Sequence, residues 1–445
     1  MKYKLFLSFC SAVICNSLLA QSILPNIKTV VERFYSNYDI GSLRNPYVQF
    51  QKREEGWYVV TLKGPDTDVQ VDSSWFFYSV RRKAFLSLRL SKVRESKNVD
   101  YKTIISRYDE MMYEKEPCYG YSGWYKDVIR ELQKRSDLND DELYALGRAY
   151  SLYAHVLVYG DHYFTQGYEP NLPIKRNSLS QEQISLFDSL ANLGIHYFNL
   201  LRNRDPSYKT SFDEIGTKYP DEIMSTFETT LLFADEEVRG LKLPHEIYSD
   251  STIIWSMEVL KECPRDCIFL SFGDRDYYPL LYLQQEAGYR TDVYVININR
   301  IGIDQYSYMI TQPRFGAAPV RLSLDSSHYI NWRNGYLRLR PESNVIPFDS
   351  AISAIRAGVK NKDHEIELQG HRFILPMKCD STGAFSTNAI VSIDMKVIYK
   401  DDWLLLDIIN NLKGRKICML YDFRAPLTDI NRFLTLRNGL YMLDN

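Results

Sequence analysis

Two short, almost wholly apolar runs at residues 267–272 and 292–298 flank a stretch of helical period at 277–286, and this triplet constrains the chain more than any other feature. An apolar run that does not alternate has to be covered on both faces. Two such runs with a helix between them, all within about thirty residues, make a βαβ unit with parallel strands. Gly288 closes the helical stretch, residues 251–260 read as a short amphipathic helix leading in, 403–411 as a further helix and 416–421 as a further buried strand. Residues 249–445 are therefore expected to form a Rossmann-like open α/β domain, with an extended middle from 312 to 383.

Upstream the periodicity changes twice. Residues 26–38 carry Ile27, Val30, Val31 and Phe34 at helical spacing, and 47–62 and 69–90 read as strands rich in Val, Phe, Tyr and Trp, broken by turn signals. Their imperfect alternation predicts a sheet covered on both faces, in a small α+β domain over residues 21–115. Residues 116–248 are helical. Leu143-x-x-Leu146-Gly147-x-x-Tyr150 recurs as Leu190-x-x-Leu193-Gly194-x-x-Tyr197, a spacing similar to the first helix of a tetratricopeptide repeat, in which a small residue lets the paired helix approach. Degenerate tetratricopeptide-like hairpins and generic antiparallel helices both fit.

Residues 1–20 have the order of a cleaved secretory signal: Lys2 and Lys4, an apolar run from 5 to 19, then Ala20. The expected location is periplasmic or secreted, with outer-membrane association also open and no transmembrane segment after cleavage. Lys and Arg number 54 against 56 Asp and Glu, so there is no basic field to recruit nucleic acid. Of seven cysteines, Cys10 and Cys15 leave with the signal, and Cys118, Cys263, Cys267, Cys379 and Cys418 remain. Cys263 and Cys267 are spaced for either a short disulfide or two thiols, and no second close pair completes a zinc site.

Dinucleotide, phosphate-loop and nucleophile-elbow motifs are absent. His245-Glu246 and His364-Glu365 begin like zinc-protease motifs without the second histidine, and His155 with His162 is read as packing. No metal site and no cofactor are assigned. The best candidate is Gly273-Asp274-Arg275-Asp276, where the first apolar strand gives way to a helix. Ligands bind outside the carboxyl ends of parallel strands, and two carboxylates one residue apart can bracket a divalent ion or act as an acid/base pair. Asn297, Asn299 and Asp304, after the next strand, are the natural polar neighbours. The competing reading has Asp274 or Asp276 capping a helix that begins at Tyr277, with the other carboxylate solvated or paired to Arg275 or Arg290. Asp66-Thr67-Asp68 repeats the spacing in what reads as a plain turn.

Residues 272–280, Tyr282-Leu283-Gln284, Gly288-Tyr289-Arg290-Thr291-Asp292-Val293 and Val295-Ile296-Asn297, with Gln312-Pro313-Arg314-Phe315, residues 402–409 and Asn438-Gly439-Leu440-Tyr441, resemble the soluble C-terminal region of a Gram-negative bacterial family of unknown function, whose full-length members are protein O-mannosyltransferase-like membrane proteins. The resemblance spans roughly residues 250–445. It departs at Phe272-Gly273-Asp274-Arg275-Asp276, where the family reads Asn-Gly-Asp-Asn-Asp, and the family's membrane half is absent. The resemblance implies an α/β domain outside the inner membrane, fused to tetratricopeptide-like helices, and it carries over no transferase activity.

Together these readings predict an exported, non-catalytic interaction or scaffold protein of the cell envelope, whose α/β domain binds a ligand or partner such as an envelope protein or glycan. The alternative is an enzyme or sensor of sugars or nucleotide sugars built on Asp274 and Asp276.

Overall fold

The computed structural model describes residues 24–39, 46–63, 70–88, 94–95, 107–116, 119–121, 123–159, 179–211, 213–233, 243–325, 328, 336–340, 345–358, 367–377, 387–393 and 396–443. The expected signal, Asp66-Thr67-Asp68, His162, His364, Cys118 and Cys379 lie outside them. The fold is mixed α/β, and the chain divides into two compact units, residues 1–172 with 181–219 and residues 173–180 with 220–445. Among the described residues no helix is long and apolar enough to cross a membrane.

In the first unit α1 (Ile27–Tyr35) starts at Asn26, whose Oδ1 accepts the Thr29 N–H at 2.9 Å. That bond satisfies one of the helix's orphan donors. The helix buries Val30, Val31 and Phe34. The short strands β1 (Tyr38–Asp39) and β6 (Arg94–Glu95) pair with each other, and β2 (Pro46–Arg53), β3 (Gly56–Lys63), β4 (Gln70–Ser79) and β5 (Ala84–Phe85) follow in order as an antiparallel meander. Consecutive Val59 and Val60 in β3 are both fully buried, so the sheet is covered on both faces there. Phe34 meets Phe50 and Phe77 edge to face at 5.6 and 5.7 Å.

The helices α2 (Arg107–Lys115), α3 (Trp124–Leu132), α4 (Asp140–Tyr159) and α5 (Gln181–Arg204) share that hydrophobic core, which runs without a break from Ile27 to Ile215. Arg204 of α5 reaches the Leu138 carbonyl and Asp140 at the start of α4, while Gly194 faces Ser151 further along, so the two helices run antiparallel. They touch through the two glycines. A Cβ on Gly147 would stand 2.6 Å from the Phe198 ring, and one on Gly194 would stand 3.1 Å from the Gly147 carbonyl oxygen. Helix α6 (Ile215–Phe233) carries the boundary between the units at Pro220.

The second unit is built on a five-stranded sheet. Helix α7 (Asp250–Glu262), capped by Ser249, leads into β7 (Ile268–Ser271); α8 (Asp274–Ala287) connects β7 to β8 (Tyr294–Asn297), and α9 (Asp304–Ile310) follows. β15 (Ile417–Met419), β16 (Leu434–Arg437) and β17 (Leu440–Leu443) complete the order β16-β17-β15-β7-β8, in which β15, β7 and β8 are parallel. Every residue of β7 and β8 is buried, as their almost wholly apolar runs require, with the polar Ser271 and Asn297 at the strand ends. The expected extended middle is more regular than its sequence suggests: β9 (Tyr336–Leu339), β11 (Glu367–Leu368) and β14 (Val397–Tyr399) form one small sheet, and β10 (Val345–Pro347), β12 (Arg372–Met377) and β13 (Thr387–Ser392) another. Helices α10 (Phe348–Arg356) and α11 (Lys400–Asn410) accompany them, Trp403 of α11 packing on Phe348 and Phe373.

Candidate functional site

The chain leaves β7 for β8 on one side and returns to β15 on the other. In an open parallel sheet such a reversal opens a crevice at the carboxyl edge. Phe272, directly after β7, and Tyr421, just after β15, meet edge to face there at 5.9 Å, with Tyr421 about half exposed.

Asn297, the last residue of β8, is buried and ties this edge together. Its N–H donates to Tyr306 Oη at 2.8 Å, its Oδ1 accepts the Asn299 N–H at 3.2 Å, and its Nδ2 donates to Asp274 Oδ1 at 2.9 Å. The same Asp274 oxygen accepts from Arg300 Nη2 at 2.9 Å. Arg300 also donates to Tyr278 Oη and to Glu228 Oε2, and its guanidinium lies 5.1 Å from the Tyr278 ring centre. One cation thus serves two carboxylates. Glu228, on α6, is 1 % exposed whereas Asp274 is 45 % exposed. Burial pushes the Glu228 carboxyl up and Arg300 pulls against it. The contact has the geometry of an ion pair in which one guanidinium serves two acids. Glu228 Oε1 makes no hydrogen bond among the described residues.

The Asp274/Asp276 pair does not converge. α8 begins at Asp274, three residues before the expected start at Tyr277, so the two carboxylates become helical neighbours at i and i+2, which point to different faces. Bracketing one ion needs the extended loop that the early start removes. The capping reading is corrected as well: the cap position is Gly273, which has no side chain, and Tyr277 N–H bonds to its carbonyl at 3.0 Å. Both acids sit in the first turn, where they complement the dipole. Asp276 is half-buried, which pushes its carboxyl up against the pull of Arg275. Arg290 pairs with neither; it clamps Asp292 at 2.8 and 3.0 Å and donates to the carbonyls of Leu260 and Cys263.

Of the expected neighbours, Asn297 reaches Asp274 and Asn299 binds the Phe272 carbonyl at 2.7 Å, while Asp304 turns away to an ion pair with Lys400 on α11. Sequence reasoning missed Glu228, Tyr278 and Arg300. An acid inside the apolar stretch Phe227-Glu228-Thr229-Thr230-Leu231-Leu232 was the available signal. A separate concavity of about 530 Å³, lined by Tyr308, Arg321, Asp325, His328, Arg356 and Lys413, shares no residue with this cluster. A smaller hollow with some of the same lining reaches Ile268, the first residue of β7, so this concavity belongs to the amino edge.

Chemically, Asp274 Oδ1 is held by two donors, one of them cationic. The cluster supplies fixed hydrogen-bonding groups beside an aromatic pair. No curated protein and no solved structure matches this chain. Residues 254–425, which include Asp274, Asn297 and Arg300 but not Glu228, match the model of a family of unknown function, TMEM260-associated domain 2.

Proposed function

We propose that this is an exported, non-catalytic interaction protein of the cell envelope, in which a Rossmann-like α/β unit binds a glycan at its carboxyl edge and tetratricopeptide-like helices offer a partner surface. The observation that carries the reading is the anchoring of Asp274 Oδ1 by Asn297 and Arg300, which builds the better placed carboxylate into the sheet edge. The Phe272–Tyr421 pair beside it supplies aromatic rings of the kind on which sugar rings stack, and the exposed Asn299, whose amide holds the Phe272 carbonyl, adjoins it. The glycines at the α4–α5 contact and the antiparallel course of those helices support the hairpin reading. The signal-like start at residues 1–20 supports export.

The test pairs a glycan array with a nucleotide-sugar turnover assay on the full chain. The expected result is retention of one class of envelope glycan without consumption of any nucleotide sugar, and a loss of at least about 1.4 kcal/mol, or tenfold, in binding for Tyr421→Ala at an unchanged melting temperature. Turnover that disappears in an Asp274→Asn/Asp276→Asn variant would overturn the non-catalytic reading.

A further inference from the structure

Three cysteines far apart in sequence meet in the second unit. Cys263 ends α7, Cys267 immediately precedes β7, and Cys418 lies within β15. The register Ile417↔Ile268 and Cys418↔Phe269 sets Cys418 and Cys267 on the same face of the sheet, because residues two apart along a strand share a face. Their sulfurs and that of Cys263 all lie within 4.8 Å of one another. None of the three is in a disulfide, and each is at most 4 % exposed.

We propose that Cys263, Cys267 and Cys418 form a binding site for one thiophilic monovalent metal ion, Cu(I), held trigonally by three thiolates. An ion bound at about 2.3 Å from each sulfur needs sulfur–sulfur separations of about 4 Å, so the cluster has to contract only slightly. Soft thiolate donors select Cu(I) or zinc among biological metals. Zinc wants a fourth ligand, and among the described residues no His, Cys, Asp or Glu joins the three. A disulfide cannot link all three, and Cys267 and Cys418, diagonal across parallel strands, have Cα atoms roughly 8 Å apart by strand spacing, beyond the ~7 Å that a disulfide spans.

Binding is balanced as three thiols plus Cu(I) giving a tris-thiolate complex of charge −2 and three protons. Two guanidinium groups stand close enough to share that charge. Arg290 donates to the Cys263 carbonyl at 2.9 Å and Arg415 to the Asp266 carbonyl at 2.8 Å, and both are electrostatically coupled to the thiols. Without the ion, the hydrogen bonds that the Cys267 thiol donates to the sulfurs of Cys263 and Cys418, together with burial, hold it in its neutral form.

The test uses the full chain, handled anaerobically, with Cys10, Cys15, Cys118 and Cys379 changed to Ser, and titrates Cu(I) in competition with bicinchoninate. The expected result is one Cu(I) per chain, a thiolate-to-copper band in the near ultraviolet and a higher melting temperature at saturation. Adding Cys418→Ser abolishes the band; Cys263→Ser, outside the sheet, is the second variant should Cys418→Ser fail to fold. Failure to retain Cu(I), preference for Zn(II), or a loss of two hydrogens from the peptides containing Cys263 and Cys267 in freshly isolated protein each overturns the proposal.

Discussion

A carboxyl group with no solvent and one loose cation keeps its proton to neutral pH, and Glu116 is such a group. It is fully buried, with Arg148 Nε 3.4 Å from Oε1 and, among the described residues, no hydrogen bond to Oε2. Burial pushes its pKa from 4.5 to about 7 against the pull of Arg148. A raised folded-state pKa means that the native state binds the proton more tightly. The associated stability is complete below pH 4.5 and is lost as pH rises through about 7. Between pH 4.5 and 8 the first unit should lose roughly 3 kcal/mol from this residue, and Glu116→Gln should flatten that slope in urea titrations at several pH values. Arg300 offers a contrasting case. Arg300→Met leaves Glu228 and Asp274 without their shared cation and should cost about 3 kcal/mol by denaturant melts, whereas adding Glu228→Gln should recover part of the loss. A neutral single variant would mean that water already screens the cluster.

At the scale of elements, the α4–α5 contact makes the sharpest forecast. Gly147→Leu must displace the Phe198 ring, so it should destabilise by about 1–3 kcal/mol, read as a lower melting temperature, while the same change at Gly216, whose Cβ would meet nothing within 4 Å, should not overpack. How far elements were legible followed their burial. β7, α8 and β8 stood out because strands buried on both faces leave unbroken apolar runs. The start of α8 did not, since Gly273-Asp274-Arg275-Asp276 reads as a polar turn unless acids are recognised as first-turn residues. The small sheets between 336 and 399 escaped because strands of two to six residues carry too little periodicity. At the site, Asp274 and Asn297 were found by topology, whereas Glu228 and Arg300 were hidden: an ion pair 72 residues apart leaves no local pattern.

For the molecule as a whole, export with cleavage after Ala20 is the expectation to check first. Edman degradation of protein recovered from a cell envelope fraction should begin at Gln21, and an intact Met1 would sink that expectation. The sheet order has its own consequence for how the second unit comes into being. β7 pairs with β8 nearby, but its other partner, β15, joins through Ile268 and Ile417, at opposite ends of a very long loop. Loop closure of that length is entropically slow to nucleate, and on the ribosome the partner strand is made long after β7. A nascent chain therefore holds one naked edge of β7, ready to pair, for as long as residues 272–416 are being made. Shielding that edge until residue 417 emerges becomes a requirement placed on the cell, not on the native fold.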